Sequence, residues 1–205
     1  MSGPLSALRF AHAAIVRESE EIEETAAHLT DAASAEALAR RIEFFAGFMK
    51  EHGDAEERSI LPALSGRLPH ADVVYLQDHQ EETWLFNELR ALSRAVAQGD
   101  RGDALTRLRR QTIALVERSQ AHVLRENTIV IPQLEALLST AEQAAVYQRL
   151  ARHLAPSLDA TLPWLIQRLS PVLRAEFLDS LQETIPPEQF RELSAGAWQD
   201  AVEDS

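Results

Sequence analysis

Two segments of the chain repeat one spacing. HGDAEERSILPAL at residues 52–64 and HVLRENTIVIPQL at residues 122–134 each carry a glutamate four positions after a histidine. Apolar residues follow at eight and nine, a proline at ten and a leucine at twelve. On a helix, positions i and i+4 lie on one face a turn apart, so His52 with Glu56 and His122 with Glu126 can each aim an imidazole and a carboxylate at one point. Those donors suit a first-row metal ion. Acidic residues are 32 of 205, so about one such pair among seven histidines is expected by chance. The pairs therefore gain weight only from the elements that carry them.

Those elements read as helices. Apolar and small residues recur at Leu5, Leu8, His12, Ile15, Ser19, Ile22, Ala26 and Leu29 in alternating steps of three and four, the stripe of one long helix. A second stripe runs Leu38, Ile42, Phe45, Met49, His52, Glu56, Ser59, Ala63, up to the breaker between Gly66 and Pro69. A third runs Tyr75, His79, Glu82, Phe86, Leu89, Ser93, Val96 until GDRGD at 99–103. A fourth runs Leu105, Leu108, Thr112, Leu115, Ser119, His122, Glu126, Ile129 and reaches about Leu138. Long helices with short connections predict an all-α, up-down-up-down four-helix bundle over residues 1–138. Pro62 and Pro132, late in the second and fourth helices, should kink or end them. Residues 139–205 predict an extension of shorter helices packed on the bundle. STAEQ should cap one ending near His153, Ser170–Pro171 should start another, and a last should carry Phe190, Leu193 and Trp198.

The inner stripes then collect His12, His52, Glu56, His79, His122 and Glu126 near mid-helix. The first two helices give His, 39 intervening residues, then HxxxE, and the last two give His, 42 intervening residues, then HxxxE. This reads as a duplicated helical hairpin whose approximate two-fold axis builds a site for two equivalent ions. One histidine on an inner stripe is more often a hydrogen-bonded core residue. Six polar groups at matched depth, however, would be costly to bury without a compensating ion. Four imidazoles and two carboxylates suit iron or manganese, with zinc or copper possible on affinity alone. Open coordination positions on paired redox metals are what dioxygen, peroxide or nitric oxide chemistry requires.

Composition narrows the alternatives. The absence of cysteine excludes disulfides, thiolate zinc sites and cysteine nucleophiles. A formal charge of −12 argues against nucleic acid or an anionic membrane surface as the main partner. No stretch approaches the roughly 18 apolar residues of a membrane span, and the start lacks a leader pattern, so a cytoplasmic protein is expected.

The ordered pattern H, HxxxE, H, HxxxE over about residues 5–138, with its ExxxxxP continuations, resembles the hemerythrin-like family, also called the HHE cation-binding family. The resemblance implies a non-haem di-iron centre, oxo- or hydroxo-bridged, in a four-helix bundle. His12 and His52 would hold one iron, His79 and His122 the other, and Glu56 and Glu126 would bridge. Oxygen carriers of that family place a further histidine four residues after the third-helix histidine, where this chain has Thr83. That departure favours redox turnover over reversible oxygen carriage. The expected function is an oxidoreductase that decomposes peroxide or uses dioxygen to oxidise a small organic molecule. The alternatives are an oxygen- or iron-binding sensor without turnover and a metal-independent helical scaffold. Glu82, three residues after His79, reads as an extra ligand, a partner of an imidazole, a proton relay, or a surface acid. Tyr75 reads as a core aromatic or a phenol beside the site. Glu57 is expected to be solvated, and His28, His70 and His153 to be surface or capping residues.

Overall fold

The computed structural model describes residues 4–65, 67, 71–184 and 188. A 3-10 turn at Pro4–Ala7 leads into α1 (Leu8–Ala27). There follow α2 (Ala32–Ser59), the single turn α3 (Leu61–Leu64), α4 (Ala71–Ala97) and α5 (Asp103–Arg125). A π-helical turn at Glu126–Val130 joins α5 to α6 (Ile131–Leu137). The chain continues through α7 (Thr140–Leu154), a 3-10 turn at Ala155–Ser157, α8 (Leu158–Arg168) and α9 (Pro171–Thr184). Among the described residues every regular element is helical. His70, Phe190, Leu193 and Trp198 lie outside the described residues, as do Gly66 and Pro69.

Local chemistry sets the boundaries. The Asp31 carboxylate accepts from Ser34 N at 2.8 Å and starts α2. Gly99, at φ 107°, takes the left-handed backbone that follows α4 and that side chains resist. Ser139 and Glu142 form the capping box expected of STAEQ, and Pro171 opens α9.

Four long helices close a ring in which α1 packs on α5 and α2, and α4 packs on α2 and α5. Outside it, α7 lies against α2 and the first 3-10 turn, and α8 lies against α1. Two apolar clusters fill the interior. One gathers Ile15, Ile22, Leu38, Phe45, Leu89 and Leu108. The other joins the start of α1 (Leu8) and of α4 (Tyr75) to the end of α2 with α3 (Ile60, Leu64) and to α6 (Ile131, Leu134). His12 falls in sequence between Leu8 of one cluster and Ile15 of the other, so the polar residues form a layer between two apolar ones.

The first two stripes are buried throughout, histidines and Glu56 included. The fourth needs one correction, because Ile129 is half exposed while Ile131 and Leu134 are buried. The π turn inserts about one residue and rotates everything after Glu126 away from the regular period.

Candidate metal centre

The four histidines and two glutamates predicted from the stripes converge. His12, His52, Glu56 and Glu126 form one group and Glu56, His79, His122 and Glu126 a second, and in each the four donor atoms lie within 4.8 Å of one another. Both glutamates belong to both groups. His12 Nε2 is 3.0 Å from Glu126 Oε2 and 3.8 Å from Glu56 Oε1, and His52 Nε2 is 3.2 Å from Glu56 Oε1. On the other side His79 Nε2 is 3.6 Å from Glu56 Oε2, and His122 Nε2 is 3.3 Å from Glu126 Oε2.

The state of these atoms tests whether a metal fits. All four Nε2 atoms and all four carboxylate oxygens are buried without a partner of hydrogen-bonding geometry. Such orphaned groups are expensive, and native interiors avoid them. The other buried polar residues on the same stripes show the contrast. Ser19 donates to Ile15 O and to Ser119 Oγ, and Ser93 and Thr112 donate to carbonyls within their own helices. Ser59 Oγ and Tyr75 Oη are exceptions, buried without a partner on the second and third stripes. Among the described residues, however, the two His/Glu groups are where several such donors converge within 4.8 Å, an arrangement that suits cations better than a hydrogen-bonded core.

Behind the inward nitrogens, three of the outward ones have partners. His12 Nδ1 meets Asn127 Oδ1 at 2.8 Å, His79 Nδ1 meets Glu57 Oε1 at 3.0 Å, and His122 Nδ1 lies 3.4 Å from Glu82 Oε1. Partners of this kind fix an imidazole's tautomer and orientation and raise its basicity as a ligand. Glu57 therefore corrects the sequence expectation, since its carboxylate is engaged with His79 instead of being simply solvated. Asn127 was not foreseen, although the residue after Glu126 matches in position the residue after Glu56. Glu82 lies behind His122 and belongs to neither donor group. Tyr75 is buried in the apolar cluster with its ring edge-on to His79 at 4.7 Å. Its hydroxyl is buried without a hydrogen-bond partner. Thr83 donates its hydroxyl to His79 O and contributes no donor to the layer. His28 closes α1 with Nδ1 2.9 Å from Glu24 O, and His153 is exposed in the last turn of α7.

Electrostatics distinguish the metal-free groups. Burial opposes charge on His12, but Glu126 and Glu56 outweigh it and push the imidazole up to about 10. His122 follows the same pattern and is pushed up to about 9. His52 is lowered by burial, only partly offset by Glu56. Glu126 is held well below the usual carboxylate range because His122 and His12 overcome its desolvation. Burial raises Glu82, and burial with two adjacent carboxylates raises the Tyr75 phenol well above its ordinary value. Without metal the site therefore stores protons on His12 and His122, and a cation must displace them.

No protein-family model matches the chain, and no solved structure matches it. Among curated proteins it is similar to Zinc finger protein BRUTUS of Arabidopsis thaliana, 26% identical over 192 residues covering 89% of this chain and 15% of that protein. It is also similar to Zinc finger protein BRUTUS-like At1g18910 of the same plant, 28% identical over 177 residues covering 82% of this chain and 14% of that protein. The chain thus spans about one seventh of the length of these relatives. A chain without cysteine has no thiolate zinc finger, so the likeness does not rest on the feature for which those proteins are named. Among the described residues no helix is long and apolar enough to cross a membrane.

Proposed function

We propose that this protein is a non-haem di-iron protein of the hemerythrin-like kind, built on an up-down-up-down bundle, that reacts with dioxygen, hydrogen peroxide or nitric oxide. The proposed activity is oxidoreductase chemistry, peroxide decomposition or oxygen-dependent oxidation of a small molecule. The observation that carries this reading is the double donor set, with every inward nitrogen and oxygen buried and unpartnered. His12 and His52 would hold one ion, His79 and His122 the other, and Glu56 and Glu126 would touch both. A thiolate-free nitrogen and oxygen set favours iron, with manganese the nearest substitute. When bound, the metals supply one-electron redox chemistry and open positions for a small oxidant.

The chain's own residues supply the rest. Glu57 and Asn127 orient His79 and His12, and the apolar layers above and below exclude bulk water from the redox site. Glu82, raised by burial and 3.4 Å from His122 Nδ1, is placed to hold a proton beside the site at pH values where a surface glutamate would have lost it. The Tyr75 phenol, raised by burial and the adjacent carboxylates, stays protonated near the site. Metal analysis with an absorption spectrum before and after peroxide tests the reading. Two irons per chain and a spectrum that changes with peroxide are expected. Iron-loaded protein that consumes neither peroxide nor dioxygen with any reductant would reject turnover.

One contact supports a second reading, a sensor. Phe48 stacks on His52 with ring centroids 5.8 Å apart, and Trp164 of α8 packs on Phe48 at 4.5 Å, so the site touches the C-terminal helices through two aromatic rings. Metal-dependent protection of residues 139–184 from protease, without turnover, is the outcome that selects it.

A further inference from the structure

The two halves of the candidate centre are closed off unequally. On the His52 side, Phe48 and then Trp164 form a wall two rings deep. Trp164 is itself anchored, because its Nε1 donates at 3.1 Å to the fully buried Glu18. That carboxylate also accepts from Arg41 Nε at 2.6 Å and from Arg168. On the His79 side a cleft of about 330 Å³ runs between α2 and α4, and its lining includes Gly53, Glu57, His79, Glu82, Thr83 and Phe86. His12, His52 and His122 do not line it. A Cβ on Gly53 would stand 3.4 Å from His79 Nδ1, so the glycine leaves space beside the outward edge of the ring that Glu57 holds. At Thr83, one turn along α4 from His79, the side chain is small and turned back onto the His79 carbonyl.

We infer, on the di-metal reading above, that small molecules reach the centre through this cleft, from the His79/His122 half only. The ligand is a small uncharged oxidant of the size of dioxygen or hydrogen peroxide. Lys50 meets Asp54 and Arg90 Nη2 meets Glu43, with Arg90 Nε buried and unpartnered, while Glu57 and Glu82 face imidazoles. The lining's two cations, Lys50 and Arg90, are set against three carboxyl groups, Asp54, Glu57 and Glu82, so the cleft carries no net positive charge for an anionic substrate, and its volume is at the lower end for ligand pockets.

Nitric oxide is a neutral probe of that access. Its binding rate to the anaerobic, reduced, iron-loaded protein is followed by absorption in wild type and in variants that plug the cleft at exposed positions, Thr83→Phe and, one turn on, Asn87→Phe. Both should slow binding at least tenfold with iron content and melting temperature unchanged. Trp164→Phe, which keeps the opposite wall aromatic, should bind at the wild-type rate. Wild-type rates in both plugged variants with iron bound would overturn the entry route. Wild-type protein that takes up no iron would overturn the metal reading itself, a separate outcome visible before any nitric oxide is added.

Discussion

Glu56 and Glu126 stand at equivalent points of two matched segments, and the backbone leaves them differently. After Glu56 the helix ends at Ser59, Ile60 N bonds back four residues to Glu56 O, and Pro62 is the second residue of the separate turn α3. After Glu126 the helix widens instead, with Ile131 N bonding back five residues to Glu126 O and Pro132 the second residue of α6. Proline removes one donor and crowds the carbonyl four residues earlier, and a break and a π turn are two ways of relieving that conflict. The first keeps Ser59 and Ile60 buried; the second turns Ile129 outward and brings in Ile131. The donor geometry survives both solutions. The duplication is thus held tightly where the ligands are and loosely one turn later.

The same pattern appears in what backs the imidazoles. The residue after each glutamate reaches across to the partner helix, Glu57 to His79 and Asn127 to His12. One is a carboxylate and the other a neutral amide. Glu82 adds a second carboxylate behind His122, while its counterpart three residues after His12 is Ile15. The His79/His122 half is accordingly the one backed by carboxyl groups, whereas His12 is backed by an amide.

The largest effect should come from the shared carboxylates. Glu56→Gln or Glu126→Gln should remove both metals, whereas His52→Ala should cost one, as counted by metal analysis per chain. Loss of a single ion from either glutamine variant would break the two-fold description.

Next comes pH in the metal-free protein, where the halves differ most around Glu126. His12 and His122, raised to about 10 and about 9, contribute stability that is complete below an unfolded histidine's value near 6.5 and fades as pH rises through 9 to 10. Depressed Glu126 contributes stability that is present above the ordinary carboxylate range and fades as pH falls through it. Denaturant melts should show a decline on the order of a few kcal/mol from pH 6.5 to 10. Metal affinity should rise over the same interval as those protons become easier to displace. Flat stability from pH 6.5 to 10 would remove the proton-storing account.

A smaller effect tests the backing residues. Glu57→Gln should weaken metal binding by about 10- to 100-fold, and Asn127→Asp should strengthen it or leave it level, measured by competition with a chelator. Equal losses in both would erase the distinction between the halves. Smallest of all, Ile129→Ala should change stability by less than about 0.5 kcal/mol because the π turn exposes it. Ile60→Ala in the other copy should cost about 2–5 kcal/mol because that side chain is fully buried.

Much of this was legible from residue periodicity. The stripes through His12 and His52 are buried at every position named, since a regular helix repeats its face every three or four residues. Periodicity failed at Ile129, where the proline's conflict with the backbone was absorbed by an extra residue in the turn. It also missed Glu57 and Asn127, which sit one residue off the inner stripe and matter only because a neighbouring helix presents an imidazole at that height. Glu18 was missed for a related reason. Its burial is offset by Arg41, Arg168 and Trp164, and two of those three lie about 150 residues away in the chain.

The sequence by itself determined the helical class, the inner stripes and the six donors, because each follows from spacing along one helix. Only the tertiary structure decided which donors share a group, which imidazoles are backed by charge, and that one half opens to a cleft while the other is sealed by α8. Those features depend on distances between helices, and local periodicity carries no information about which face of a neighbour arrives opposite.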